Sequence, residues 1–289
     1  MLRELGHTVS IQVDWDGAPV DVMLALHARR SHASIRHFAM RCPDKPLILT
    51  LTGTDLYRDI RTHAEAQASM QLATRMIVLQ EMGLAELTPA LRRKARVVYQ
   101  SARLIPRTPP LKSCFEVVIS GHLREEKDPF RVAAALAYLP KESRIRITHI
   151  GGAMSATMSQ DARAWMKRQP RYRWLGEVAH AKALRLLARG RLMVISSRME
   201  GGANVVSEAL VNNVPVIASR VSGNIGMLGK DYAGYYPLED ERALARLLSR
   251  AETDTVYYRK LAAQCRARKP LVSYAGECAG LQCALLEIT

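Results

Sequence analysis

The sequence is short of acidic and aromatic residues. Asp and Glu number 27 against 42 Lys and Arg, and aromatics make up 6% of the 289 residues. With no helix-turn-helix, zinc-finger or base-stacking signature, this argues against a nucleic-acid partner, even at a net charge of +15. The charge suits phosphorylated small molecules, and leaves room for peripheral contact with an anionic membrane surface. No apolar run approaches the roughly 18–20 residues that span a bilayer, so membrane insertion is not expected. Met1–His7 is mixed in charge and lacks the apolar stretch of a signal peptide, and the reading is a cytoplasmic protein, monomeric or homodimeric. The five cysteines (Cys42, Cys114, Cys265, Cys278, Cys283) are widely spaced, with no CxxC pair or His/Cys cluster. That excludes a disulfide framework and a cysteine metal site. No Walker loop, Ser/His/Asp constellation or Asp-x-Asp metal motif is evident. The chemistry is therefore expected to need neither a metal nor a cofactor.

Short apolar strands alternate with helical patterns along the chain, the signature of parallel, doubly wound α/β sheets. The opening is unusual for that class. Met1–Leu5 reads as the end of a helix stopped at Gly6, and His7–Val13 as a strand. No strand and Gly-containing turn precede them, so the first strand of an N-terminal domain is expected to be missing. Further strands are read at Asp21–Leu26, Pro46–Thr52, Arg75–Leu79 and Arg96–Tyr99. Helices are read at Ser31–Met40, capped by Ser31, at Ala64–Ala73, and at Met82–Leu87 or Pro89–Ala95.

The Pro-rich stretch Leu104–Lys112 reads as a semi-rigid linker. A second series follows, with strands at Phe115–Ser120, Ile145–Ile150, Tyr172–Leu175, Leu192–Ile195, Val214–Ala218 and Tyr235–Leu238. Its helices are read at Asp128–Leu139, Gln160–Lys167, Ala181–Ala188, Val205–Val211, Glu241–Glu252, Thr255–Arg266 and Cys278–Leu286, with a loop over Ser219–Lys230. The expected domains are 1–112, 113–270, and a terminal helix in 271–289 returning to the first.

The most informative stretch runs from Ser196 to Leu210. Two glycines, Gly201 and Gly202, stand between a buried strand and a helix. Unpaired N–H groups and the helix dipole at such a junction favour an anion, and glycine lets it approach. Glu200 precedes the glycines, and Glu208 lies one turn beyond Asn204. Carboxylates accept hydrogen bonds from adjacent hydroxyls such as those of a sugar. An anion cradle between two diol-binding carboxylates describes a nucleotide-sugar site, with Ala203 and Val205 in its wall.

Gly121–Lys127 also follows a strand, and places His122, Arg124 and Lys127 beside a helix start. Taken alone it is a charged surface loop. Beside the first motif, Arg124 and Lys127 become candidates to neutralise a departing diphosphate. In the first half, Thr52, Gly53, Thr54 and Asp55 end a strand and offer hydroxyls and N–H groups to a small anion, with Asp55 alternatively capping the next helix. His27 ends a neighbouring strand, near Arg30, and reads as a catalytic base, an anion-binding donor or simply a polar strand end. Arg173 and Leu175 flank Trp174 on a strand suited to holding a base.

Together these motifs resemble the GT-B glycosyltransferases of the family-4 type. Gly121–Lys127 is similar to that family's basic loop, although His122 stands where the family usually has Arg, and Arg124 comes two residues later. Arg171–Gly176 resembles its base-binding strand, Ser196–Glu208 its paired-glutamate motif, and Asn213–Ser219 the strand after it. The resemblance implies two Rossmann-like domains facing a central cleft. It also implies Glu200 on the donor hexose, the glycines on the phosphates and Glu208 on the ribose. Longer runs, Leu51–Ile60, Gly121–Arg131, Met199–Leu210 and Gly223–Tyr232, are similar to the selenosugar synthases of selenoneine biosynthesis. That closer resemblance implies a UDP-sugar donor, UDP-N-acetylglucosamine or UDP-glucose, and selenophosphate as acceptor. His27, Arg30 and Thr52–Asp55 are then the acceptor-side candidates.

Overall fold

The computed structural model describes residues 1–106 and 108–286. The chain divides into two compact units. One holds Met1–Ser101, Glu200–Gly202 and Leu271–Thr289; the other holds Ala102–Met199 and Ala203–Pro270. Position 107, inside the expected linker, lies outside the described residues, as do 287–289.

The first unit is built on β1 (Met23–Leu26), β2 (Leu47–Leu51), β3 (Arg75–Val78) and β4 (Ala95–Val97), all parallel and in chain order across the sheet. Its helices are α1 (His32–Arg41), α2 (Ile60–Thr62), α3 (Ala64–Leu72) and α4 (Pro89–Arg93). A π-helical turn, Asp55–Asp59, leads directly into α2, and a 3-10 segment, Glu81–Glu86, precedes α4. Both helices read as alternatives near residue 85 therefore form.

Strand residues alternate between the two faces, as the pleat requires. Leu47, Leu49, Leu51, Met76 and Val78 join Phe38 and Ile35 in one cluster. Ile48, Ile77, Leu79 and Val98 form a second cluster on the other face.

The expected strand His7–Val13 does not form. Ile11 and Val13 are 86% and 96% exposed. An alternating pattern makes a strand only where a neighbour supplies ladder partners and a surface to bury against. Met1–Gly6 is a set of turns ending at Gly6, with φ +90. Ser31 does not cap α1 through its side chain; its hydroxyl donates back to the Leu26 carbonyl at 2.6 Å.

The second unit is built on β5 (Phe115–Ser120), β6 (Ile145–Ile150), β7 (Tyr172–Trp174), β8 (Leu192–Ile195), β9 (Val216–Ser219) and β10 (Tyr235–Tyr236). All are parallel, in the order β10-β9-β8-β5-β6-β7. β8 and β9 are buried along their length, so they read as apolar runs rather than alternating patterns. The helices are α5 (Arg131–Ala135), α6 (Ala156–Arg168), α7 (His180–Arg189), α8 (Asn204–Val211), α9 (Ser222–Leu228), α10 (Glu241–Thr253) and α11 (Thr255–Arg268).

Two expectations change here. The helix read from Asp128 begins only at Arg131 and tightens to 3-10 geometry over Leu136–Tyr138. Asp128 itself is left-handed, with φ +43. The loop read over Ser219–Lys230 contains α9. Its two glycines hid it, and neighbours hold its end: Arg268 donates to the carbonyls of Met227 and Gly226 at 2.9 and 2.7 Å, and the Tyr235 hydroxyl to that of Gly229 at 2.9 Å.

The last helix, α12 (Tyr274–Leu286), belongs to the first unit. It lays Leu281, Ala284 and Leu285 over the second apolar cluster. No helix among the described residues is long and apolar enough to cross a membrane.

Candidate functional site

Strand order decides where the second unit can hold a ligand. Numbered within that unit from the β7 edge, the strands run 3-2-1-4-5-6. The order of winding therefore reverses between β5 and β8, with the strands still parallel. Open parallel sheets take ligands outside the carboxyl ends of their strands at such a reversal. β5 leads there into Gly121–Lys127, and β8 into Ser196–Met199.

These two segments are bonded to each other. The Ser196 hydroxyl reaches the carbonyls of Lys127 and Asp128 at 3.0 and 2.8 Å. Arg198 donates from its backbone N–H to the Glu126 carbonyl (2.9 Å) and from its guanidinium to that of Glu125 (2.7 Å). It also pairs with Glu239 at 2.5 Å. Behind the loop, Asp128 holds Arg131 at 2.8 Å, and Arg131 bonds Glu241 at 2.6 Å. The carboxyl end of the basic loop is thus fixed before any ligand arrives. Its sequence signal was charge; Ser196 and Arg198, which fix it, read only as parts of a longer motif.

Within that loop, a Cβ on Gly121 would meet open space. Gly151, at φ +142, lies so close behind it that a Cβ there would stand 2.0 Å from the Gly121 carbonyl oxygen. The Gly152 N–H donates to His122 Nδ1 at 3.1 Å, which leaves Nε2 as the protonated nitrogen of the neutral ring. Arg124 Nε is buried with no hydrogen-bond partner among the described residues. Buried donors are normally paired, and the residue as a whole is half-buried, so this donor is available to an acceptor. Lys127 is half-buried at the end of the 3-10 turn Glu125–Lys127.

On β7, Arg173 is exposed, while Leu175 donates its N–H to the His149 carbonyl at 2.9 Å. The Trp174 indole N–H is committed to the Gly151 carbonyl at 2.8 Å. His149 is a core residue bonded to the Tyr172 hydroxyl at 2.8 Å, and burial pushes its pKa down to about 4. It is neutral at pH 7 and takes no part in acid–base chemistry.

Ala203 is the buried residue before α8, Asn204 opens the helix exposed, and Val205 is partly covered. Glu208 is 7% exposed and accepts a hydrogen bond from His180 Nε2 at 2.8 Å. His180 was missed from the sequence. It stands in line with Leu184, Leu187 and Ala188, which α7 buries, but that stripe reads as core and gives no sign of Glu208.

In the first unit, β1 and β2 end in a second cluster. Asp55 is fully buried and accepts three hydrogen bonds: from the Thr52 N–H and hydroxyl at 2.7 Å each, and from the Ala28 N–H at 2.9 Å. It does not cap a helix; it latches the β1 and β2 ends together. His27 is left-handed, with φ +75. Its Nδ1 accepts from the Arg30 N–H at 3.3 Å, and its Nε2 bonds the Thr54 hydroxyl at 3.0 Å. Burial lowers the His27 pKa, with Asp55 opposing and Arg30 assisting. The Arg30 side chain is exposed. Asp59, buried alongside, is ringed by Arg58 at 2.9 Å, Arg29 at 3.8 Å and His63 at 3.9 Å.

Glu200, Gly201 and Gly202 group with this unit. A Cβ on Gly201 would lie 2.5 Å from the Thr52 carbonyl carbon, and one on Gly202 would lie 2.5 Å from Leu79 Cβ. The sequence suggested that these glycines clear a path for an anion. The structure adds a second reason for glycine here: close approach of two stretches of protein. The helix itself starts at Asn204, beyond the glycine pair.

A cavity of about 480 Å³ lies elsewhere, at the amino ends of β5, β6 and β8, lined by Phe115, Arg144, Arg191, Glu252 and Tyr258 among others. That is the opposite edge of the sheet from the strand reversal's ligand side, so strand topology decides for Gly121–Lys127 and the head of α8.

The model of the family described as glycosyl transferases group 1 matches residues 106–269, more than half of the chain. The chain belongs to the group 1 glycosyl transferases. Solved structures agree on the fold. HepE of Anabaena in complex with UDP and glucose superposes with a TM-score of 0.74 at 17% identity, over 92% of this chain and 77% of that one. HepE in complex with UDP-glucose gives 0.74 at 16%, over 93% and 78%. Sucrose-phosphate synthase from Thermosynechococcus elongatus gives 0.74 at 19%, over 92% and 73%. This group 1 glycosyl transferase therefore has the GT-B fold, with two parallel-sheet α/β domains, and is an enzyme of glycosyl transfer.

Proposed function

We propose that the protein is a selenosugar synthase that joins the sugar of UDP-N-acetylglucosamine or UDP-glucose to the selenium of selenophosphate. The donor half rests on the strand reversal of the second unit. Arg124, with its orphaned buried Nε, and Lys127 stabilise the diphosphate and the departing UDP. His122 and the free edge of Gly121 line the same loop. Arg173 and Leu175 bound the base, with Ala203, Asn204 and Val205 at the helix head. Glu208 takes the ribose hydroxyls, and Glu200 those of the hexose. The solved HepE complexes with UDP and UDP-glucose support a UDP-sugar donor by analogy of fold.

The observation that carries the acceptor is the state of His27. It is the candidate base of the first unit, yet both ring nitrogens are engaged and burial makes it a weaker base. Attack by a sugar hydroxyl needs a competent base. Selenophosphate is already an anionic, polarisable nucleophile and needs none. Arg30, His27 Nε2, Thr52, Gly53 and Thr54, with Asp55 fixing their backbone, suit such an anion. In the transfer, the bond from sugar C1 to the UDP oxygen breaks and its electron pair leaves with UDP. A C1–Se bond forms, and hydrolysis of the Se–P bond then releases phosphate.

The second reading is retaining transfer of a hexose to a hydroxyl acceptor, favoured by the fold shared with sucrose-phosphate synthase. One incubation separates the two. With UDP-sugar and selenophosphate, UDP release that requires selenophosphate, and a product carrying selenium on the sugar, are expected. UDP release at the same rate without selenophosphate overturns the proposal.

A further inference from the structure

Glu208 is nearly buried, yet its carboxylate is held from one side only. Oε1 accepts from His180 Nε2 at 2.8 Å, and Oε2 takes no hydrogen bond from the described residues. His180 is the first residue of α7, with its side chain 72% exposed. It comes at the end of the connection from β7, the strand that carries Arg173, while Glu208 stands on α8. One bond therefore ties the segment after β7 to α8.

A carboxylate bonded through one oxygen keeps a fixed rotation and presents the other oxygen in a set direction. Without the imidazole, the group is free to turn toward water. Directional hydrogen bonds tolerate little misalignment, so the gain from a prepositioned acceptor is realised as selectivity for a ligand hydroxyl. We infer that His180 is a positioning residue that orients Glu208 and sets the preference of the site for a ribonucleotide over its 2′-deoxy counterpart. This rests on the reading of Glu208 as the ribose-binding group. His180 touches no reacting atom, so its removal acts on donor affinity and leaves the turnover of bound donor in place.

The test compares UDP and 2′-deoxy-UDP binding by calorimetry in the wild type, His180→Ala, His180→Gln and Glu208→Gln. His180→Ala is expected to weaken UDP about tenfold, the size of one hydrogen bond to a charged group, and 2′-deoxy-UDP by about twofold or less. His180→Gln, whose amide N–H replaces the imidazole donor, is expected to restore most of the preference. In turnover, KM for the donor rises in His180→Ala while kcat holds. An unchanged UDP affinity in His180→Ala, or an equal loss of both nucleotides that His180→Gln does not repair, overturns the inference. The Glu208→Gln arm separates the two levels. If it loses the ribose preference while His180→Ala keeps it, only the inference fails. If it binds both nucleotides as the wild type does, the ribose reading fails and takes the inference with it.

Discussion

Gly151→Ala is expected to be among the most damaging single-methyl changes available near the candidate site. Gly151 sits at φ +142, where a side chain is strained whatever the space around it. Holding a non-glycine residue in such a region costs about 1–3 kcal/mol. The added Cβ would also stand 2.0 Å from the Gly121 carbonyl oxygen and 2.4 Å from its carbon. Both are backbone atoms, so no rotamer change relieves the clash, and overpacking of this kind costs a further ~1–3 kcal/mol. The sum is about 4 kcal/mol, a large part of the ~5–15 kcal/mol that holds a domain folded. The chain can escape only by moving Gly121. That weakens the Gly121 N–H bond to the Ile150 carbonyl at 2.8 Å and shifts the loop carrying His122 and Arg124. Urea unfolding followed by circular dichroism measures the first effect, and UDP titration of the folded protein measures the second. Gly152→Ala is the control, because its Cβ would meet side-chain ends, Glu177 Oε2 at 3.3 Å and His122 Nδ1 at 3.4 Å, that can swing away. It should stay within about 1 kcal/mol of wild type. A Gly151→Ala protein equally close to wild type, with unchanged UDP affinity, would refute the reasoning.

Replacing Asp55 by Ala leaves three donors, the Thr52 N–H, the Thr52 hydroxyl and the Ala28 N–H, without their acceptor; a loss of about 3 kcal/mol in urea unfolding is expected. His27→Asn, which tolerates the left-handed backbone, should keep kcat within about tenfold of wild type, because a general base would cost about 10²–10⁴; a larger drop in stopped turnover assays counts for a hydroxyl acceptor. Stability should depend on acid through His149, whose folded pKa of about 4 lies below the unfolded value of 6.5. Between those pH values the unfolded chain binds a proton that the folded one does not. Stability is therefore whole above pH 6.5 and falls by about 3 kcal/mol as the pH drops toward 4. Denaturant midpoints at pH 7 and 5 check this, and the slope should shrink in His149→Gln.

Continuous apolar runs were the most readable part of the sequence. Leu192–Ile195 forms a strand with the expected bounds, because a strand buried on both faces leaves little choice of partner or register; Phe115–Ser120 and Ile145–Ile150 keep theirs as well, with Glu116 buried in one and Arg146 exposed on the other. The errors lie where a distant contact decides. Val9, Ile11 and Val13 alternate correctly and find no partner strand. Gly223 and Gly226 look like loop residues, but Arg268 and Tyr235 hold the end of that helix from far along the chain. Asp55 has the composition of a cap and acts as a latch, because its acceptors serve Thr52 and Ala28 rather than the next turn. At the site, the basic loop and the paired glutamates were legible as motifs after strands. The bonds that fix them, Ser196 and Arg198 to the loop backbone and His180 to Glu208, span 28 to 73 residues and leave no local pattern. The two glycines before α8 were legible as necessary, but their close approach to Thr52 and Leu79 was not.

The docking of α12 on the first sheet has a consequence for biosynthesis. Ile48, Ile77, Leu79 and Val98 are covered by Leu281, Ala284 and Leu285, and those residues leave the ribosome only after the whole second unit has been made. At a synthesis rate of about 5–20 residues per second, one apolar face of the first sheet stays open for roughly ten seconds or more. The second unit suffers no such delay, since its own strands and helices arrive in one run apart from three residues. The amino-terminal half is thus the last to be finished, and while it waits it is the part of the nascent chain with most need of a chaperone.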